Sequence, residues 1–305
     1  MEYVLQVSGP YDTVLAAARF SEQRGLPAIA LPDHYLLTRD AETSRTTPAN
    51  DAFIQIAALA RETTVLELVL LVAPITFRHP AVILKSAVTI DDLSGGRFAL
   101  GVGTGWMDLE HEVFGFPYPA MGERFSMLEE GLAYLRAGLD PTHPGFSGER
   151  YRLRPFPLSP TPDGSIRLVV GGTGSQRTPQ LAGRYADEYN AFPGPDLADR
   201  IERARRAASD AGRDPDRLRL SSTGQVTGAD SEEELDGILE ERAARAGITR
   251  EQLDRSIARR HTPIATWERL REQMAEMERL GIERFYLQGR YDEVAATVIL
   301  DRLRP

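Results

Sequence analysis

The hydrophobic pattern of this chain alternates between short, continuous apolar runs and longer segments in which apolar residues recur every three to four positions. Runs of the first kind predict buried strands, and segments of the second kind predict helices with one buried face. The predicted strands are Tyr3–Val7, Ala28–Leu31, Leu66–Val72, Arg97–Val102, Arg167–Gly171, Tyr189–Phe192, Leu218–Ser222 and Arg284–Leu287. Helical segments separate these strands, and this indicates a parallel sheet. We therefore expect an α/β fold, one (β/α)8 TIM barrel over residues 1–305.

Two stretches interrupt this alternation. After strand 4, residues 106–165 contain one helical segment, Gly122–Gly138, and then a run rich in Pro, Gly and Arg without periodicity. After strand 7, residues 224–262 contain charged segments of helical period. Long irregular stretches in a compact domain are typical of functional insertions or lids. We expect insertions at both places, and a polar loop at Thr38–Thr47.

The composition is that of an ordinary globular protein, with 42% hydrophobic and 27% charged residues. The absence of cysteine excludes disulfides, thiolate metal sites and cysteine nucleophiles, and no histidine pair has the spacing of a metal site. A net charge of −9 argues against nucleic acid and anionic membranes as partners. Without a visible signal peptide or a membrane-length apolar run, a cytoplasmic protein is expected.

The stretch Phe77–Trp106 carries the clearest local signals. Pro80 suits the first turn of a helix, because its missing N–H has no helical partner there. Glycines at 95 and 96 suit a left-handed helix end. A short apolar strand follows and ends in Gly103-Thr104-Gly105. In α/β folds, a glycine-rich loop after a strand lies where ligands bind.

Other candidates also follow predicted strands, so a barrel brings them to one rim. The candidate site residues are Asp33 and His34 after strand 2, Leu70, Leu71 and Val72 in strand 3, Thr104, Gly105 and Trp106 after strand 4, and Gly171, Gly172, Thr173 and Gly174 after strand 5. The last four predict a phosphate site, because glycines let backbone N–H groups approach an anion at a helix start. A tight turn without a ligand is the alternative.

Several of these motifs together resemble the luciferase-like flavin and deazaflavin oxidoreductases. The residues that carry the resemblance are Pro32-Asp33-His34, Arg78-His79-Pro80-Ala81, Lys85, Asp91, Leu93-Ser94, Gly96-Arg97, Gly101, Gly103, Gly105-Trp106, Glu110, Gly115, Val170–Gly174 and Tyr185–Asn190. The resemblance covers residues 1–195 well and the last third of the chain loosely. The residues of the motif, RHPA at 78–81 and GVGTGWMDLEHEVFG at 101–115, resemble the coenzyme F420-dependent branch more than the FMN monooxygenases.

The resemblance implies roles for individual residues. From the residues alone, His34 is either a structural histidine or a site residue whose tautomer is set by the neighbouring carboxylate of Asp33. The resemblance implies that His34 contacts the redox ring or moves protons there. It implies a non-prolyl cis peptide under the ring, which we expect at Leu70–Leu71, within one residue. Thr104 is expected to hydrogen-bond the cofactor, and Trp106 to wall the pocket. Sugar-phosphate dehydrogenases of this family have an acidic glutamate where this chain has Trp106, so that reaction is not expected here.

The expected function is therefore an F420-dependent oxidoreductase that transfers a hydride to or from a small organic substrate. An FMN-dependent monooxygenase is the alternative within the family. NADPH is a further candidate co-substrate. A cofactor-binding barrel without catalytic activity is the alternative from another class. The resemblance also implies a homodimer. Glu110 is expected to anchor the loop after strand 4 rather than to react, and His79 to be structural.

Overall fold

A computed structural model describes residues 1–40, 45–162 and 166–304, and its centre is a closed barrel of parallel strands. The barrel strands are β1 (Glu2–Val7), β2 (Ala28–Leu31), β3 (Glu67–Pro74), β4 (Phe98–Gly103), β5 (Arg167–Gly172), β6 (Glu188–Ala191), β7 (Arg219–Gly224) and β8 (Arg284–Gly289). Each strand pairs with the next along the chain, and β8 pairs with β1. The predicted fold class is confirmed, and all predicted strands lie within two residues of the observed ones.

Helices surround the barrel. They are α1 (Tyr11–Gln23), α2 (Ala52–Glu62), α3 (Pro80–Ser94), α4 (Asp108–Phe114), α5 (Met121–Leu139), α6 (Arg177–Tyr185), α7 (Leu197–Asp210), α8 (Glu232–Ala246), α9 (Arg250–Arg260), α10 (Trp267–Arg279) and α11 (Glu293–Leu303). Within the described chain, no helix is long and apolar enough to cross a membrane.

The helix-start and helix-end signals that the sequence predicts around α3 are confirmed. Pro80 occupies the first turn, and the imidazole of His79 caps the helix by accepting a hydrogen bond from the N–H of Ala81 at 3.1 Å. The helix ends at Gly95, which has a left-handed φ of 69°. The guanidinium of Arg97 then donates to the carbonyls of residues 60, 63, 66 and 94, and so joins this turn to the end of α2.

The barrel interior contains an apolar cluster and is charged at its amino end. The apolar interior residues are Val4, Ala28, Ala30, Val69, Leu71, Ala99, Val169 and Tyr286. At the amino end, Arg284 pairs with Glu2 at 2.8 Å and with Glu67 at 2.7 Å, and is 3% exposed. Because charge at the amino end of such a barrel serves stability, the chemistry is to be sought at the carboxyl end.

Both predicted insertions are present. The one after β4 contains α4 and a short antiparallel pair, Phe146–Ser147 with Arg152–Leu153. The one after β7 contains α8, α9 and a parallel pair, Thr227–Ala229 with Ile264–Thr266.

The expected polar loop at Thr38–Thr47 is wrong in part. Leu36–Asp40 and Arg45–Pro48 form an antiparallel hairpin, while residues 41–44 lie outside the described residues. The loop was expected because polar residues dominate the segment. Polarity alone does not exclude strands, since threonine is β-branched and suits them.

Candidate active site at the barrel mouth

The carboxyl end of β3 departs from regular pairing. Its register against β4 shifts between Leu70 and Ala73, and the peptide bond Leu71–Val72 is cis. The expectation of a cis bond at Leu70–Leu71 is therefore wrong by one residue, within its stated range. The apolar run that contains these residues offers no side chain that distinguishes one bond from the next, so the position needed the structure.

The side chain of Val72 lies inside the mouth against glycines of the two following strands. A Cβ on Gly101 would come within 2.7 Å of Val72 Cγ1, and one on Gly103 within 2.8 Å of Val72 Cγ2. A Cβ on Gly171 would lie 3.2 Å from Val72 Cγ1. These distances are shorter than ordinary contacts, so the glycines of β4 and β5 make the space that Val72 fills. We call Val72 and these three glycines the floor of the mouth.

A buried amide lies below this floor. Gln6 Nε2 donates to the carbonyl oxygen of Leu71 at 2.7 Å, and Thr223 Oγ1 donates to Gln6 Oε1 at 3.2 Å. Gln6 is 5% exposed. The sequence interpretation missed it, although a lone glutamine in the buried strand β1 is a signal, because a buried polar side chain needs a partner.

His34 stands at one wall of the mouth and is held by Glu110 of α4. Its Nδ1 lies 2.8 Å from Glu110 Oε2. The other carboxylate oxygen accepts from the backbone N–H groups of Tyr35 at 2.6 Å and Leu36 at 2.9 Å. Glu110 is 1% exposed, and the His34 side chain is 19% exposed. Glu110 thus ties α4 to the chain after β2, as expected, and also orients the imidazole.

Asp33 is not the carboxylate that contacts His34. Asp33 is fully buried, and both its oxygens accept from the guanidinium of Arg78. Adjacent side chains in extended backbone point in opposite directions, which explains why the two neighbours face different partners. Arg78 also donates to Tyr35 Oη at 2.7 Å and to Asp51 Oδ2 at 2.6 Å. Burial raises the pKa of Tyr35 to about 12, because the opposing effect of Arg78 is smaller.

Trp106 forms the part of the wall next to His34. The two rings meet edge to face, with centroids 5.6 Å apart and an interplanar angle of 74°. Trp106 is 65% exposed, so a large apolar surface contacts solvent next to His34. Thr104 and Gly105 lie between it and the floor, both partly exposed. Buried Arg124 donates to the carbonyl of Gly105 at 2.5 Å and fixes this turn.

The glycine loop after β5 leads directly into α6. Thr173 is exposed and Gly172 has a φ of 155°, while a Cβ on Gly174 would lie 2.6 Å from Thr178 Oγ1. The first turn of α6 carries no acidic residue, and its N-cap Gln176 makes no side-chain capping bond. Arg177 is engaged elsewhere, since it donates to the carbonyl of Gly122 at 3.1 Å.

The wall of His34 and Trp106, the loop after β5 and the floor therefore lie at one end of the barrel. The structure brings His34, Trp106, Val72 and the loop at 171–174 to this rim, and places Asp33, Leu70 and Leu71 behind it as buried residues. Gln6 and Glu110 support the rim from below and from the side.

A family model described as luciferase-like monooxygenase matches residues 3–300. The chain therefore belongs to the luciferase-like monooxygenase family.

Two named relatives differ in their reactions, one being a monooxygenase and the other an F420-dependent dehydrogenase. The chain is 32% identical to the pyrimidine monooxygenase RutA of Variovorax paradoxus over 46% of this chain and 38% of that protein. It is 31% identical to the F420-dependent glucose-6-phosphate dehydrogenase of Amycolatopsis mediterranei over 59% of this chain and 53% of that protein. The matches thus span about half or less of these relatives. Both are redox enzymes, the class expected from the sequence.

Solved structures share the fold at low identity. An F420-dependent secondary alcohol dehydrogenase, in complex with an F420-acetone adduct, superposes with a TM-score of 0.80 at 17% identity, covering 100% of this chain and 99% of that one. The monooxygenase RslO1 from Streptomyces bottropensis superposes with a TM-score of 0.77 at 21% identity, covering 99% and 98%. At this identity the likeness establishes the barrel fold alone.

Proposed function

We propose that the protein is an F420-dependent oxidoreductase that transfers a hydride between the deazaflavin and a small organic substrate. The observation that carries the proposal is the mouth itself, where Val72 packs on its glycine floor and the rings of His34 and Trp106 meet after β2 and β4 at the same end of the barrel. When bound, the deazaflavin supplies the carbon that accepts or donates the hydride. The protein supplies an apolar support, a wall and an imidazole nitrogen.

The residues present fit such a cofactor. A planar ring needs a surface without protruding side chains. Gly101 and Gly103 carry no side chain beside Val72, and an added Cβ there would clash with it. A phosphate requires backbone donors and a positive helix end, and the loop at Gly171–Gly174 leads into the uncapped start of α6. In this proposal Leu70, Leu71 and Val72 support the ring, while Thr173 and the glycines around it hold the phosphate.

The wall residues position the ring and the substrate. His34 presents an imidazole for contact or proton transfer, Thr104 offers a hydroxyl to the cofactor, and Trp106 bounds the substrate side. Trp106 has no ionisable group, so it does not act as the acid that sugar-phosphate dehydrogenases of this family carry at this position. We therefore propose a substrate other than a sugar phosphate, although the chain resembles such an enzyme over 59% of its length.

An FMN-dependent monooxygenase is the second candidate, and the match to the pyrimidine monooxygenase RutA favours it. The same floor suits a flavin ring, and NADPH is then the expected source of electrons. The match to the F420-dependent relative covers more of this chain, and it is the reason for our order of preference. A barrel that only binds a cofactor is the third reading. The single domain, a homodimer and a cytoplasmic location stay predictions.

The test is a separate titration of the purified protein with F420 and with FMN, followed by tryptophan fluorescence. The chain has two tryptophans, Trp106 at the mouth and Trp267, which is 7% exposed in α10. Tight F420 binding should quench the wild type and Trp267→Phe, but should quench Trp106→Phe far less. Tighter binding of FMN than of F420 would favour the FMN-dependent monooxygenase instead. Binding of neither cofactor contradicts both enzyme assignments.

A further inference from the structure

Both carboxylate oxygens of Glu110 have hydrogen-bonding partners at the rim. Oε2 faces His34 Nδ1 at 2.8 Å, and Oε1 receives the two backbone N–H groups of Tyr35 and Leu36. The carboxylate is 1% exposed. A buried carboxylate is stable only where its oxygens are satisfied by donors. Here the donors come from a segment 74 to 76 residues earlier in the chain, so the contact exists only in the folded barrel.

The arrangement decides which nitrogen of His34 carries the proton. An ionised carboxylate only accepts hydrogen bonds, so a ring nitrogen in contact with it must be a donor. In the neutral imidazole one nitrogen donates and the other accepts. With Nδ1 committed to Glu110, Nε2 is the accepting nitrogen, and within the described chain nothing hydrogen-bonds to it. The ring also meets Trp106 edge to face.

We propose that Glu110 is a positioning residue that holds neutral His34 as the Nδ1–H tautomer and turns Nε2 towards the mouth as a proton acceptor. The two carboxylate oxygens of Glu110 have different roles. Oε1 fixes α4 against the backbone after β2, and Oε2 sets the tautomer. What Nε2 acts on rests on the proposed function, but the tautomer itself is a property of the protein without a cofactor.

Glu110→Gln separates these two tasks. The amide oxygen of glutamine can still accept from Tyr35 and Leu36, so the backbone anchor is kept. Its NH2 group can only donate, so it requires Nδ1 of His34 to accept, and the proton moves to Nε2. Glu112→Gln is the matched control, because Glu112 lies two residues later on α4 and is exposed.

The readout is 15N NMR of the histidine ring nitrogens in the protein without cofactor, at a pH high enough that the signals no longer change. His34→Ala identifies the His34 signals by their loss. We expect a protonated Nδ1 and an unprotonated Nε2 in the wild type and in Glu112→Gln, and the reverse in Glu110→Gln. A wild-type ring protonated at Nε2 overturns the proposal even if Glu110→Gln does not fold. An unchanged tautomer in a folded Glu110→Gln also overturns it.

Activity provides the second arm once a cofactor has been identified. Glu110→Gln should bind that cofactor within about threefold of the wild type, while turnover falls by about 10²–10⁴-fold, the range expected for loss of a positioned base. Glu112→Gln should match the wild type in both. Unchanged turnover in Glu110→Gln overturns the assignment of Nε2 as the working atom. If the tautomers are as expected but neither F420 nor FMN binds, the proposed function fails and the positioning role of Glu110 stands.

Discussion

The side-chain amide of Gln6 donates a 2.7 Å hydrogen bond to the carbonyl oxygen of Leu71 inside the barrel. The two residues lie on β1 and β3, which do not pair with each other. Leu71 is 5% exposed, so no bulk water replaces the amide. Thr223 of β7 donates a hydrogen bond to the amide oxygen of Gln6. Groups from β1, β3 and β7 are therefore joined directly under the floor of the mouth.

Removing this donor should destabilise the protein. Gln6→Met keeps a side chain of similar length but leaves the buried carbonyl of Leu71 without its partner. The cost of an unsatisfied buried acceptor is about 1–3 kcal/mol, and urea unfolding measures it. Gln180→Met, on the exposed face of α6, is the control and should change stability by less than about 0.5 kcal/mol. Equal stability of the two variants would show that the bond contributes nothing.

The fit of Val72 against the glycine floor gives a second prediction. Gly103→Ala introduces a Cβ that would lie 2.8 Å from Val72 Cγ2, and such overpacking costs about 1–3 kcal/mol. Val72→Ala removes that γ carbon, and the remaining Cβ is 3.9 Å from the new atom. The double variant should therefore be more stable than the sum of the single changes predicts, by about 0.5 kcal/mol or more.

The same substitution elsewhere is the control for this cycle. Gly237 lies on the exposed face of helix α8 with nothing within 4 Å of an added Cβ. Gly237→Ala should stabilise the helix by about 0.5–1 kcal/mol, since alanine is the better helix former. Additive effects of Gly103→Ala and Val72→Ala in thermal or urea unfolding would contradict the packing described for the floor.

The barrel was predictable because its signals are local. The strands of the first half are near-continuous apolar runs, and the helices have their own start and end signals, such as Pro80 at the start of α3 and Gly95 at its end. The residues of the rim could then be predicted from the strands, because residues just after parallel strands meet at one end of the barrel. For this reason the positions of His34, Trp106 and the loop at 171–174 needed only the strand assignments.

The partners of these residues were not predictable, because they lie far away in the chain. His34 bonds to a residue 76 positions later, and Gln6 to one 65 positions later. Sequence proximity suggested Asp33 as the carboxylate beside His34, whereas the fold buries Asp33 against Arg78. The cis bond at Leu71–Val72 lies in a run of similar apolar residues, and no local chemistry marks it.

Breaking the buried pair of Arg78 and Asp33 should strongly destabilise the protein. Arg78 is 11% exposed and bonds to Asp33, Tyr35 and Asp51. Arg78→Leu leaves the carboxylate of Asp33 buried without its cation, and the expected cost is about 3–5 kcal/mol. Chemical denaturation should show a much smaller cost, about 0–1 kcal/mol, for Arg206→Leu, which breaks an exposed pair with Glu202.

A double variant separates charge from packing in this pair. Asp33→Asn with Arg78→Leu removes the uncompensated charge, so it should be more stable than Arg78→Leu alone. A double variant that is less stable than Arg78→Leu would indicate that Asp33 has another partner of importance. A cost for Arg78→Leu no greater than that for Arg206→Leu would show that the buried pair is not a stability element.

The loop after β5 is the place to test for the phosphate of a bound cofactor. Gly172 is a poor position for a charge, because its φ of 155° strains any side chain there. Thr173 is exposed and has no such constraint. Thr173→Asp places a negative charge beside the proposed phosphate, and Thr173→Asn adds nearly the same atoms without the charge. Repulsion of about 1–3 kcal/mol between charges a few ångströms apart at a surface predicts a loss of affinity of about tenfold or more for the aspartate.

The asparagine variant should bind within about threefold of the wild type, and both variants should unfold at the wild-type temperature, since the side chain contacts solvent. The loss for Thr173→Asp should shrink as salt is added, because the interaction is screened over about 10 Å at 0.1 M ionic strength. Fluorescence titration of the three proteins with F420 and with FMN, at low and at high salt, measures all of this. Equal affinities for the aspartate and asparagine variants would mean that the phosphate binds elsewhere on the rim.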